Sequence, residues 1–140
     1  MKLKTKKIKG TKKKGVSYWK KKCWNLFSEL VRKSGSFANG NNSCITCGAI
    51  KPWKELQAGH FIPGRHNSVL FDFRNCHPQC YRCNVLLKGN PVEYYEYMLD
   101  NYGKKVIKEL KELDKELCPF KVYELEIKYD SLKNLKEPLI

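Results

Sequence analysis

Residues 75–84 read Asn-Cys-His-Pro-Gln-Cys-Tyr-Arg-Cys-Asn, four candidate metal ligands (Cys76, His77, Cys80, Cys83) between two asparagines. A matching pair stands upstream, Cys44 with Cys47, so two Cys-x2-Cys units are separated by 32 residues. Each unit spans one edge of a tetrahedron, and together Cys44, Cys47, Cys80 and Cys83 supply the four thiolates of one zinc site. Gly48, directly after Cys47, permits the tight turn such a knuckle requires. Four thiolates leave no open coordination position, so this zinc is expected to be structural, and any chemistry must come from other groups. The remaining cysteines, Cys23, Cys76 and Cys118, are expected to pack as small buried apolar residues.

The rest of the chain sets the context for that site. At 140 residues it has the length of about one domain. The composition is that of a soluble basic protein: 41% hydrophobic, 30% charged, net charge +14. No apolar run approaches the roughly 18 residues needed to cross a membrane, and no apolar segment follows the first lysines as in a secretory leader. An intracellular, cytoplasmic protein is expected, and its reducing surroundings favour metal binding over disulfides. Residues 1–28 hold eleven lysines and no acid. Such an arm suits a polyphosphate partner, because each phosphate it neutralises releases counterions.

Residues 1–15 cannot bury a core and are expected to form a disordered Lys-rich arm, with a single domain over 16–140. Trp19, Cys23, Leu26, Phe27, Leu30 and Val31 recur at helical spacing and predict a helix over 16–33, ended by Ser34-Gly35. The zinc-bearing core should occupy 44–89, with short strands at 56–62 and 69–73 and a short helix from about Tyr81 to Gly89. Asn90-Pro91-Val92-Glu93 places a capping Asn, a Pro at the first helical position and a Glu at the third, opening a largely helical part over 90–140. Residues 104–117 form an amphipathic helix, whereas 120–135 fits either a strand or a helix.

Between the cysteine pairs, His60 stands at the end of a predicted strand with Pro63 three residues on, Asn75 precedes Cys80 by five, and Asn84 follows Cys83. The order Cys-x2-Cys, His-x2-Pro, Asn, Cys-x2-Cys-Asn resembles that of HNH, or ββα-metal, nucleases. Ala58-Gly59-His60-Phe61 with Arg65-His66, Phe71 to Asn75, His77 to Asn84 and Gly89-Asn90 resembles the phage NinG (Rap) recombination-nuclease family over about residues 44–103. The frame ending in Cys83-Asn84 is also similar to that of the phage junction resolvase endonuclease VII.

The resemblance implies an α+β fold in which a small zinc-stabilised ββα-metal core is flanked by helices, and a DNA endonuclease acting on branched or recombination-intermediate DNA. His60 would be the general base, suited by an ordinary pKa near about 6.5. Asn75 would fix the imidazole or the hairpin loop, and Asn84 would offer an oxygen to one Mg2+ or Mn2+. Many such enzymes carry Asp just before the base histidine, and here that position is Gly59. His77, Asp72 and His66 are the candidates to complete the ion site, His77 foremost, so that His60, His77 and Asn84 would surround the ion. Arg65, His66, Arg74 and Arg82 are candidate phosphate contacts. A homodimer would fit paired incisions. The rival expectation is a non-catalytic zinc-ribbon module in which the same arginines and the arm bind nucleic acid.

Overall fold

A computed structural model describes residue 10 and residues 12–138. The arm expected over residues 1–15 therefore lies largely outside the described residues.

Helix α1, Val16–Lys33, turns Cys23, Phe27 and Val31 inward at the helical spacing read from the sequence. Strands β1 (Asn41–Ser43) and β2 (Ile50–Pro52) pair antiparallel and carry the first cysteine pair in their connection. Strands β3 (Gln57–His60) and β4 (Cys76–Gln79) form a second antiparallel hairpin, with Gly59 opposite His77 and His60 opposite Cys76. A long loop joins them and holds one helical turn, α2, at Asn67–Leu70. Helices α3 (Pro91–Asn101), α4 (Gly103–Asp114) and α5 (Val122–Asn134) complete the chain, which is a mixed α+β protein with two small sheets.

Because side chains alternate along a strand, the β3–β4 hairpin has two distinct faces. Ala58 and Cys76 share one face, where they pack with Phe27 of α1, Phe73, and Leu125 and Leu132 of α5. The ring of Phe27 stacks on Phe73 at 4.5 Å between centroids, and the Cys23 thiol donates to the Leu125 carbonyl, tying α1 to α5. Gly59 and His77 share the opposite face, toward α3, where Tyr94 and Met98 pack with Ile107 and Leu110 of α4. A third cluster joins Cys44, Cys80 and Cys83 to Leu56.

Four expectations need correction. The apolar run 69–73 is not a strand: Val69 and Leu70 end α2 and Phe73 opens a short 3-10 turn. The second strand lies instead on Cys76-His77-Pro78-Gln79, all four buried, so no alternation in its sequence marks it. The helix expected from Tyr81 to Gly89 is a five-residue π-turn, Arg82–Leu86, closed by Lys88, Gly89 and Asn90, all at positive φ. In that conformation Asn90 does not cap α3 with its side chain; its amide reaches the Cys83 sulfur instead. Cys118 is exposed, unlike Cys23 and Cys76, because it lies in the turn before α5. The ambiguous segment 120–135 is helical over α5.

Candidate active site and metal centre

The sulfur atoms of Cys44, Cys47, Cys80 and Cys83 all lie within 4.8 Å of one another, with Cys47 Sγ and Cys80 Sγ 3.7 Å apart. Zinc–sulfur bonds of about 2.3 Å in a tetrahedron place the sulfurs about 3.8 Å apart, so the four residues fit structural zinc. Local geometry prepares both knuckles. The Gly48 amide donates to the Cys44 carbonyl at 2.9 Å with Gly48 at φ +76°, a region open to glycine. In the second knuckle the Asn84 and Gly89 amides donate to the carbonyls of Cys80 and Cys83.

His60 ends β3 with its ring stacked on Trp24 of α1, centroids 5.3 Å apart. Its Nε2 lies 3.0 Å from the Leu70 carbonyl oxygen, which can only accept, so the proton sits on Nε2 and Nδ1 is left as the basic atom. Nδ1 has no hydrogen bond among the described residues and is not among the solvent-sealed atoms that lack one. Burial pushes the His60 pKa below the ordinary imidazole value and the Arg65 charge adds to this, while the Leu70 bond opposes it. The imidazole is therefore neutral at neutral pH and able to take a proton.

Asn75 is fully buried and fixes the loop. Its Oδ1 accepts the Ile62 amide at 2.9 Å, its Nδ2 reaches the Val69 carbonyl, and its own carbonyl accepts the Phe61 amide. Of the two roles expected for Asn75, these bonds serve the loop. Asn84, on the π-turn, donates from Nδ2 to Gln57 Oε1 at 2.7 Å. Asn84, Gln57, Arg65, Trp24 and Arg32 line a groove of about 340 Å³ that no carboxylate enters. The Arg65 guanidinium lies 4.2 Å from the Trp24 ring, and Arg65 holds a positive φ of 52°. Two larger hollows, about 600 and 690 Å³, are each lined by carboxylates, Asp72 with Glu124 and Asp114 with Glu116, and so suit a polyanion less.

Other candidates stand apart from His60. His77 lies opposite Gly59, so it projects from the other face of the hairpin. The Tyr94 hydroxyl donates to the Gly59 carbonyl and therefore accepts from His77 Nδ1–H at 2.9 Å, while Tyr102 donates to His77 Nε2 at 2.8 Å. Burial lowers its pKa to about 4. Both nitrogens are occupied, and His60, His77 and Asn84 do not converge on one ion. Arg74 is held by Asp72 at 2.8 Å and Glu109 at 3.1 Å, so three of its five N–H groups are already taken by carboxylates and Asp72 is used as well. His66 pairs with Asp114 at 2.7 Å. Arg82 is exposed and meets no carboxylate among the described residues. Among the described residues the four cysteines are the one cluster of three or more His, Cys, Asp or Glu side chains able to share a metal.

Gly59, where Asp was missed, has a steric reason to be glycine. A Cβ built there overlaps the Gln79 carboxamide and comes within 2.7 Å of its Cδ. Gln79 is fully buried and cannot swing aside easily, because its Nε2 donates to Thr46 Oγ1 and to the Gly89 carbonyl. Trp24, Gln57 and Gln79 were not singled out from sequence, since nothing local marks their contacts with His60, Asn84 and Gly59, which lie 36, 27 and 20 positions away.

Fold and site define a small mixed α+β protein built on a four-cysteine cluster that could hold structural zinc, with a basic groove beside a neutral histidine. The family model described as Bacteriophage Lambda NinG protein matches residues 1–137, and the chain belongs to the NinG family. Relatives include the ninG protein of Escherichia phage 933W, 29% identical over 95 residues that cover 67% of this chain and 45% of that protein. Those of Salmonella phage P22 and Escherichia phage lambda are 29% and 28% identical over 95 residues, again 67% of this chain and 44% of each relative. The chain thus spans less than half the length of these relatives. No solved structure matches it. No helix among the described residues is long and apolar enough to cross a membrane.

Proposed function

We propose that the protein is an HNH-type DNA endonuclease, acting inside the host cell on branched or recombination-intermediate DNA during phage recombination. The observation that carries this reading is His60: a neutral imidazole with its proton fixed on Nε2, an unpartnered Nδ1, and an acid-free groove of arginines alongside. In the reaction His60 Nδ1 takes a proton from water as the water oxygen bonds to phosphorus, and the bond from phosphorus to the 3′ oxygen breaks. The 3′ oxygen leaves as a hydroxyl after taking a proton from solvent, and the product keeps a 5′ phosphate. Arg65 and Arg32 would hold the phosphate, and Asn75 keeps the loop, and with it Leu70 and the His60 ring, in place.

Mg2+ or Mn2+ would act as Lewis acid on the phosphate in such an enzyme. The residues here form no preassembled cage for it, with Gly59 blocked by Gln79 and His77 on the far face. That same observation favours the second reading, a zinc-stabilised module that binds DNA without cutting it. A second copy, paired through the helices after residue 90, would suit coupled incisions.

A panel of duplex, single-stranded, flap and four-way DNA with Mg2+ and Mn2+ separates the two. The wild type should cut at least one substrate, while His60→Ala binds it equally well and cuts at least 100-fold more slowly. A wild type inert on the whole panel would leave the binding module as the reading.

A further inference from the structure

The motifs that resemble nucleases begin at about residue 44, yet one wall of the groove is α1, which precedes them. Trp24, Ser28 and Arg32 recur every four residues and line the groove together, so one stripe of the helix faces it. Lys20 stands one turn earlier on the same oblique row, outside the groove lining, its Nζ 2.9 Å from Asn67 Oδ1 and 5.7 Å from the Phe120 ring. Arg65 faces the stripe from the opposite wall, over Trp24. At the other end Arg32 approaches the Trp53 ring at 5.1 Å, joined there by Lys33 at 4.5 Å and Lys54 at 5.8 Å. The nearby acids are Glu29, already bonded to Lys33, and Glu55, next to Lys54 in sequence.

We propose that this stripe of α1, Lys20–Trp24–Ser28–Arg32, is a rail along which one DNA strand lies as it approaches His60. The proposal rests on the nuclease reading only for its destination; the rail itself is a DNA-binding surface. At about 1.5 Å per residue, Lys20 and Arg32 are about 18 Å apart along the helix, the axial length of about five nucleotides. Cations at both ends and Arg65 at the middle match a row of phosphates. Ser28 is the small residue between them, which leaves the backbone room to pass. The Trp24 indole carries Arg65 on its ring and braces His60, so the strand and the base histidine are set by one side chain.

Binding of a labelled duplex without added Mg2+ or Mn2+ tests the rail apart from cleavage. Arg32→Ala with Arg65→Ala should lower the slope of log affinity against log salt by about 2, whereas Lys104→Ala with Lys105→Ala, exposed on α4, should leave it unchanged. Ser28→Glu should weaken binding at least tenfold and Ser28→Lys should not, with both variants melting like the wild type. An unchanged slope in the arginine double variant, equal binding by the two Ser28 variants, or a wild type that binds no duplex at low salt would overturn the rail. Cleavage by a wild type whose Ser28 variants bind alike would leave the nuclease reading standing without it. Normal rail behaviour with no cleavage would do the reverse.

Discussion

His60 and His77 are one strand pair apart and have opposite surroundings. His60 keeps one nitrogen free of hydrogen bonds and stacks on Trp24, which lines the groove, whereas His77 spends both on tyrosine hydroxyls inside the α3 face. Its Nε2 accepts from Tyr102 only while the ring is neutral, so protonation breaks that bond and leaves a buried cation. The unfolded imidazole titrates near about 6.5 and the folded one at about 4, so the unfolded chain binds the proton more readily. Stability from neutral His77 is thus fully present above pH 6.5 and is lost as pH falls through 4, a total of about 3 kcal/mol. Melting temperatures of wild type and His77→Gln across pH 7 to 4 should converge as pH falls, since the zinc thiolates titrate in both and cancel. Parallel curves would mean that the ring carries no such load. For His60 the pKa is lowered, so the acid limb of a cleavage profile should sit below the ordinary imidazole range.

At the level of elements, the Gln79 side chain of β4 fills the space that a side chain on Gly59 of β3 would need. Gly59→Ala should therefore cost about 2–4 kcal/mol, the strain of overpacking plus the disturbed Gln79 hydrogen bonds, measured as a lower urea midpoint with an unchanged slope. A midpoint equal to that of the wild type would mean that Gln79 repacks freely. Sequence patterns revealed α1 and α4, because each buries a stripe at helical spacing, but left α5 open, because Val122 to Ile127 alternates like a strand. They misplaced β4 because a strand buried on both faces has no alternation, and Pro78 within it argues against a strand. That proline is tolerated because β4 is an edge strand of a two-stranded sheet, and its carbonyl accepts the Ile45 amide. Of the candidate site, spacing marked the four cysteines, which the fold brings together, whereas His60, Asn75 and Asn84 were marked by the family resemblance. The partners of His77, Arg74 and His66 were not legible, since they are a tyrosine and carboxylates brought in from α3 and α4.

For the molecule as a whole, three modest clusters share the burial, and the one around the cysteines contains only Leu56 besides its thiols. A structural zinc contributes on the order of 10 kcal/mol, comparable with the whole stability of a domain this size. Stripping the metal with a chelator should therefore abolish the native circular dichroism signal, with one zinc released per chain. A native signal that survived removal would place the stability elsewhere. Gln79 gives this dependence a direction. One side chain bonds Thr46 in the first knuckle and Gly89 past the second, and its carboxamide lies across the backbone beside His60. Gln79 thereby links the four-cysteine cluster to the strand that ends in His60, so a change at the thiols is expected to reach the His60 imidazole. Broadening of that ring's resonances should therefore accompany the loss of the native circular dichroism signal as the metal is withdrawn.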